Sequence, residues 1–338
     1  MNNSKKKKLH FHINIHVILI SLIVILLGVS AFRLYRWNKG EEIYVDPNAD
    51  TSQFDVEALD SIMPLPPAKQ AGHTYDDELS ILFLGDSNIA ATPDKENSFP
   101  NIVASLTGAT VYNCAFPSSS LAAKNLNFTE ADDPDDAFCL PYLAQAICSG
   151  DFSLQSSIVE AYRSDGITSQ TALQTLINLD YSTVDVLCIA YSPRDYLRQR
   201  GVENPEDPNE ICTYTGALRT TIEAFQETYP FIRIIVMSPY YINITEEDGT
   251  IIESGTTNFG HGALPHYLLK QIDVCTELSV SIVDNFYGTI NQDNYQEYVH
   301  ENDYTCNEAG RQKLAERFVE ALLKYPVGTT TGTLDNGN

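Results

Sequence analysis

Ile81-Leu82-Phe83-Leu84-Gly85-Asp86-Ser87-Asn88 is the stretch from which the rest of the chain is read. Four apolar residues running into glycine and small polar residues form the pattern of a strand buried on both faces, as in a parallel sheet. In open α/β sheets, ligands sit beyond the carboxyl ends of such strands. Ser87 therefore falls where a nucleophile or a ligand-binding hydroxyl belongs. The same spacing serves a plainer purpose too, because Asp and Ser commonly cap the helix that follows a strand.

Working outward, similar apolar runs occur at residues 110–115, 184–191, 232–238 and 281–284. Helical patterns lie between them at 99–106, 216–228 and 307–323, and 135–179 has room for two or three helices between the second and third strands. Strands alternating with helices imply an α/β domain: a five-stranded parallel sheet covered on both faces, with right-handed crossovers. No Gly-rich phosphate loop of either common spacing follows a strand, which excludes dinucleotide and nucleoside triphosphate chemistry, and no cofactor is expected.

The N-terminus differs in kind. Residues 1–8 form a basic tail with Lys5 to Lys8, and residues 9–32 carry no formal charge. A run of this length spans a bilayer as a helix. We therefore expect a transmembrane signal-anchor over 9–34, with the lysine cluster on the cytoplasmic side and the domain on the extracytoplasmic side of the cell membrane. Secretion after cleavage near Ala31 is the alternative, since Val29-Ser30-Ala31 suits a signal peptidase. The acidic, Pro-containing stretch 35–78 reads as a linker, 79–326 as the folded domain, and the Thr/Gly/Asn-rich 327–338 as a flexible tail.

Charge supports an ectodomain. Residues 1–40 hold seven of the 21 Lys+Arg and none of the 45 Asp+Glu, leaving 14 basic against 45 acidic residues, a formal −31, in the remainder. Such a surface repels nucleic acid, which is rejected as a partner. The seven cysteines are too few for a disulfide scaffold in a chain of this size. Cys114 and Cys188 sit in apolar runs as buried thiols, and Cys139 and Cys148 are spaced to pair across a loop. No metal-ligand motif occurs; His261 and His266, beside Gly and Pro, read as loop residues.

Five stretches together resemble the SGNH/GDSL hydrolases, serine esterases and acyl hydrolases on a flavodoxin-like three-layer α/β/α fold. They are Gly85-Asp86-Ser87; Val111 to Ser118, where the family has a strand and then a glycine; Val186 to Asp195, where it has Gly-x-Asn-Asp; the helix–strand unit from Ala217 to Pro239; and Asn302 to Gly310, where it has Asp-x-x-His-x-Asn-x-x-Gly. The resemblance implies Ser87 as nucleophile, activated by a histidine that an aspartate orients. It also implies an oxyanion site built from the serine N–H, the glycine N–H and the asparagine amide.

The chain departs from that pattern where the chemistry is most demanding. Ser118 stands at the glycine position and Arg194 at the asparagine. Asn302 and Thr305 occupy the aspartate and histidine positions; sliding by one residue gives Asp303 and Cys306. Neither register supplies an imidazole. His300 and His261 are the candidate substitute bases. The expected function is thus a catalytically impaired, membrane-tethered protein that binds a cell-surface glycan, an acylated glycan or an acyl ester; Tyr191, Tyr196, Tyr240 and Tyr241, beside predicted strand ends, read either as ordinary amphipathic surface residues or as stacking platforms for sugar rings. An active esterase using Ser87 with a relocated histidine is the alternative.

Overall fold

The computed structural model describes Ile23, Gly28, Ser30 and residues 57–128, 133–160 and 166–327. The chain divides into two units, Met1–Asp55 and Val56–Asn338, and the sheet lies in the second. Among the described residues no helix is long and apolar enough to cross a membrane. The expected anchor at 9–34 lies outside the described residues apart from Ile23, Gly28 and Ser30, and so does the tail 1–8.

Five parallel strands form the central sheet: β1 (Ser80–Gly85), β2 (Thr110–Asn113), β3 (Val186–Ala190), β4 (Arg233–Met237) and, last in the chain, β7 (Ser281–Val283). Their order is β2-β1-β3-β4-β7, the flavodoxin-like arrangement in which the chain reverses direction across the sheet between β1 and β3. Register fixes the two strands side by side, with Ile81 opposite Val186 and Gly85 opposite Ala190. Their carboxyl ends therefore open on the same crevice.

Alternation along β1 sends its side chains to two separate cores. Leu82 and Leu84 pack with residues of the helices Leu140–Ser149, Gly166–Asn178, Tyr214–Thr228 and Leu264–Glu277. Ile81 and Phe83 pack on the other face against the helices Phe99–Thr107 and Glu308–Lys324, with Phe83, Phe99 and Phe318 in mutual ring contact. Three layers result, as expected. The observed helix ends have local causes. Ser98 caps the Phe99–Thr107 helix by accepting from Asn101, Pro100 suits its first turn, and Gly108 closes it at φ 73°.

Two features exceed the sequence reading. A small antiparallel hairpin, β5 (Asn243–Thr245) and β6 (Ile251–Glu253), follows β4. The second concerns residues 57–78, read as linker but making specific contacts with the domain. Ser61 pairs antiparallel with Ile282, exchanging N–H···O bonds of 3.0 and 2.9 Å. Asp60 accepts from the Asp284 N–H and pairs with Arg317, while Leu65 is buried. β7 is only three residues long and would otherwise present an open edge. Residues read as linker thus hydrogen bond to the edge of the sheet ahead of residue 79.

All seven cysteines are free thiols, so Cys139 and Cys148 are not paired. Cys148 lies within the Leu140–Ser149 helix and Cys139 immediately precedes it. A span of nine residues along one helix covers about 13 Å, well beyond disulfide reach. Cys114 and Cys188 are buried, as their apolar surroundings indicated.

Candidate active site at the carboxyl ends of β1 and β3

Gly85 ends β1 where it meets β3. A Cβ at this position would stand 2.3 Å from the Ala190 carbonyl oxygen, so the strand pair excludes any other residue. Asp86 then leaves the sheet and caps the Ser87–Ala90 turn by accepting from the Asn88 N–H. Its carboxylate is wholly buried. The second oxygen accepts from the Ser192 N–H at 2.9 Å and from the Ser192 hydroxyl. Burial pushes the Asp86 carboxyl up from its ordinary value, and these hydrogen bonds, with Arg194 nearby, pull the other way. Asp86 thus ties the end of β1 to the loop after β3.

Ser87 is half-buried, and its Oγ accepts a 3.0 Å hydrogen bond from the Ser118 N–H. Ser118 has φ 60°, a left-handed conformation that glycine adopts freely and serine at a cost. A backbone donor thus meets Ser87 at the position where the resemblance implies a glycine. Asp195 holds the adjoining loop. Its carboxylate oxygens accept from the N–H groups of Leu121 and Ala122 at 2.8 and 2.9 Å. Sequence reading put Asp195 in the third block but gave it no task; its position two residues past a proline at a strand end was the available signal.

Arg194 begins the short Arg194–Leu197 helix after β3. Its Nη1 donates to the Tyr304 hydroxyl at 2.8 Å, and the guanidinium carbon lies 5.9 Å from the Tyr304 ring centre. Tyr304 belongs to the last block, between the two candidate registers, and its relevance was not foreseen. Burial raises its phenol above the ordinary value and Arg194 opposes the rise. Asn88 joins the same block from below, accepting from the Cys306 N–H at 2.8 Å and donating to the Tyr240 hydroxyl at 2.5 Å; Tyr240 in turn donates to the Tyr304 carbonyl at 2.5 Å.

Among the described residues the remaining candidates form no hydrogen bond to Ser87, and several are engaged in other contacts. Val299 and Cys306 form an antiparallel bridge that closes residues 300–305 into a turn. Within it Asp303 accepts from the Tyr304 N–H and from the Thr305 hydroxyl, at 2.6 and 2.8 Å. Thr305 is thereby spent on its own turn. Asn302, at φ 54°, accepts from the Thr245 N–H of the β5–β6 hairpin. The Cys306 thiol is buried, which pushes it up to about 12. His300 and His261 are exposed, and among the described residues no imidazole hydrogen bonds to Ser87. His73 stacks on Phe231 at 3.8 Å, next to the amino end of β4 and so at the opposite end of the sheet. The four tyrosines expected to stack on sugars are all buried. Three of the hydroxyls are internal anchors: Tyr196 donates to the Thr257 carbonyl, Tyr240 to the Tyr304 carbonyl and Tyr241 to Glu253.

No family model matches the chain. Iroquois-class homeodomain protein irx-2 of Xenopus tropicalis is 25% identical over 133 residues, 38% of this chain; the match spans only 27% of that protein. Two solved structures superpose with a TM-score of 0.51. One is 19% identical over 74% of this chain and 99% of its own. The other, a protein from Lactobacillus plantarum, is 16% identical over 75% of this chain and 100% of its own. A carbohydrate acetylesterase, Est24 of Sinorhizobium meliloti, aligns more loosely, 12% identical over 73% of this chain and 99% of its own with a TM-score of 0.44. The strand order and the two structures at a TM-score of 0.51 show a flavodoxin-like three-layer α/β fold with Ser87 at its switch point, the fold of the SGNH/GDSL hydrolases that the five sequence blocks resemble.

Proposed function

We propose that the chain is a membrane-anchored, extracytoplasmic SGNH/GDSL-hydrolase-like protein that binds an acylated cell-surface glycan or an acyl ester and does not turn it over. One observation carries this reading. The Ser87 hydroxyl meets the Ser118 N–H, while at the base position the Thr305 hydroxyl donates to Asp303, the Cys306 thiol is buried, and no described imidazole hydrogen bonds to Ser87. A serine without a base is a poor nucleophile. In a serine triad, losing the base costs on the order of a million-fold in turnover, and binding together with the oxyanion site supplies what remains.

The crevice keeps what binding needs: a hydroxyl, a backbone donor aimed at it, and a guanidinium nearby. The uncharged, long run at residues 9–32 supports the anchor, and the acidic remainder supports exposure outside the cytoplasm.

Two measurements on the full chain test this. A fluorophosphonate probe should leave Ser87 unlabelled, and p-nitrophenyl acetate should give no burst of product. Stoichiometric labelling of Ser87, with turnover abolished in Ser87→Ala and greatly reduced in His300→Ala or His261→Ala, would instead establish a working esterase with a relocated base. Protease added to intact cells should digest residues 57–327 if the domain is extracytoplasmic.

A further inference from the structure

In a domain where acidic residues outnumber basic ones about three to one, the site holds an unusual pair. Arg194 and Arg198 stand one helical turn apart, with the Arg198 N–H donating to the Arg194 carbonyl at 2.8 Å. Like charges at this spacing repel each other. Each side chain is only half-buried, and among the described residues neither forms an ion pair.

The acidic groups around them are occupied. Asp195 receives Leu121 and Ala122, Asp86 receives Ser192 and Asn88, and Asp133 pairs with Lys124 at 3.5 Å. Arg194 spends one donor on the Tyr304 hydroxyl, and its Nε is buried with no acceptor. Burial and the Arg194 charge together push the Arg198 guanidinium down from its ordinary value, with Arg200 adding to the repulsion and Asp195 and Asp133 opposing it. Asp86 lies within electrostatic range of Arg194, and Asp195 and Asp133 within range of Arg198, yet among the described residues no carboxylate is in direct contact with either guanidinium.

We infer that Arg194 and Arg198 form an anion subsite at the rim of the Ser87 crevice, so that the ligand carries a carboxylate or phosphate oxyanion close to the group that reaches Ser87. This rests on the reading of the crevice as a binding site and adds the charge class of its ligand. Guanidinium is well suited to such groups because its planar fork matches both carboxylate and phosphate. The anion supplies a counter-charge in direct contact with the pair and accepts from the outer N–H groups of the two half-buried guanidiniums. It also explains why a short amide has given way to an arginine here: the family's asparagine serves a transient oxyanion, whereas a permanent anion rewards a permanent charge.

The test uses calorimetry on the full chain with three probes of similar size: trigalacturonate for the carboxylate, a glycerol-phosphate trimer for the phosphate, and neutral maltotriose. At least one anionic probe should bind at least tenfold more tightly than maltotriose, and the advantage should shrink at high salt. Arg194→Gln and Arg198→Gln should each weaken that probe about tenfold, the order expected for one charge-assisted hydrogen bond. Arg194→Lys, which keeps the charge, should recover part of the loss. Arg198→Gln leaves the Tyr304 contact intact, and the urea midpoint of every variant separates weak binding from misfolding. Equal binding of maltotriose and both anions, unchanged by either substitution, would overturn the anion subsite while leaving the crevice a binding site. Binding of no probe by the folded protein would overturn both.

Discussion

Ser118 shows how much one backbone angle decides. Its left-handed conformation aims the N–H at the Ser87 hydroxyl, a geometry that costs an L-residue about 1–2 kcal/mol relative to glycine. Ser118→Gly is expected to raise the unfolding free energy by about 0.5–1 kcal/mol, since unfolded-state entropy offsets part of the relief. Ser118→Val should lower it by about 1–2 kcal/mol, because a β-branched side chain is least tolerated there. Urea midpoints of the two variants, moving in opposite directions, check this. Asp185 offers a second residue-scale test. It is buried beside Ser80, whose N–H it accepts at 2.8 Å, and desolvation lifts its carboxyl to about 6, with Asp76 adding to the rise. The folded value lies above the unfolded one, so stability is complete below about pH 4 and declines as pH climbs through about 6. Asp185→Asn should therefore stabilise the protein at neutral pH by about 1 kcal/mol. The gain should vanish in acid. Unfolding curves at both pH values would expose the opposite sign.

At the scale of elements, the loop from Ser118 to Asn125 has almost no regular structure, yet two carboxylates hold it. Asp195 takes the amides of Leu121 and Ala122, and Asp136 takes those of Lys124 and Asn125. Hydrogen bonds to a buried charged group are worth about 1.5–3 kcal/mol each. Asp195→Asn replaces one acceptor oxygen with a donor that faces an N–H, so a loss of about 2–3 kcal/mol in unfolding free energy is expected. Amide exchange at Leu121 and Ala122 should accelerate well before global unfolding. If protection at those amides were unchanged, the anchoring role would be wrong. The link between this loop and the Arg194–Leu197 helix also means that one strand end, after β3, positions both the Ser118 donor and the cationic rim.

For the molecule as a whole, the sheet is finished by a segment far from it in sequence. Residues 59–63 lie along β7, with Leu59 donating to Asp284, Met63 donating to the Ser281 hydroxyl and Ser61 pairing with Ile282. Removing this cover leaves a short, exposed edge that invites pairing with another copy. A chain beginning at residue 57 should stay monomeric. One beginning at residue 79 should melt at lower temperature and self-associate in sedimentation velocity; equal melting of the two would show the cover to be dispensable.

Much of this was legible in the chain itself. Apolar runs of strand length separated by helical periodicity specify a parallel α/β sheet, because burial on both faces demands continuous apolar strands. Gly85-Asp86-Ser87 could be located from its junction alone. The sequence also showed that Thr305 and Cys306 are not imidazoles. Only the tertiary structure decided what those positions do instead, since Asn302, Asp303 and Thr305 are defined by contacts with one another and with a hairpin that has little signature in so short a segment. It decided that the four strand-end tyrosines are core, because burial depends on which loops fold over them. It likewise joined Arg194 to Tyr304, 110 residues apart. Periodicity is a local property and reveals layers; a side chain's partner is set by long-range packing, which no single stretch of sequence contains.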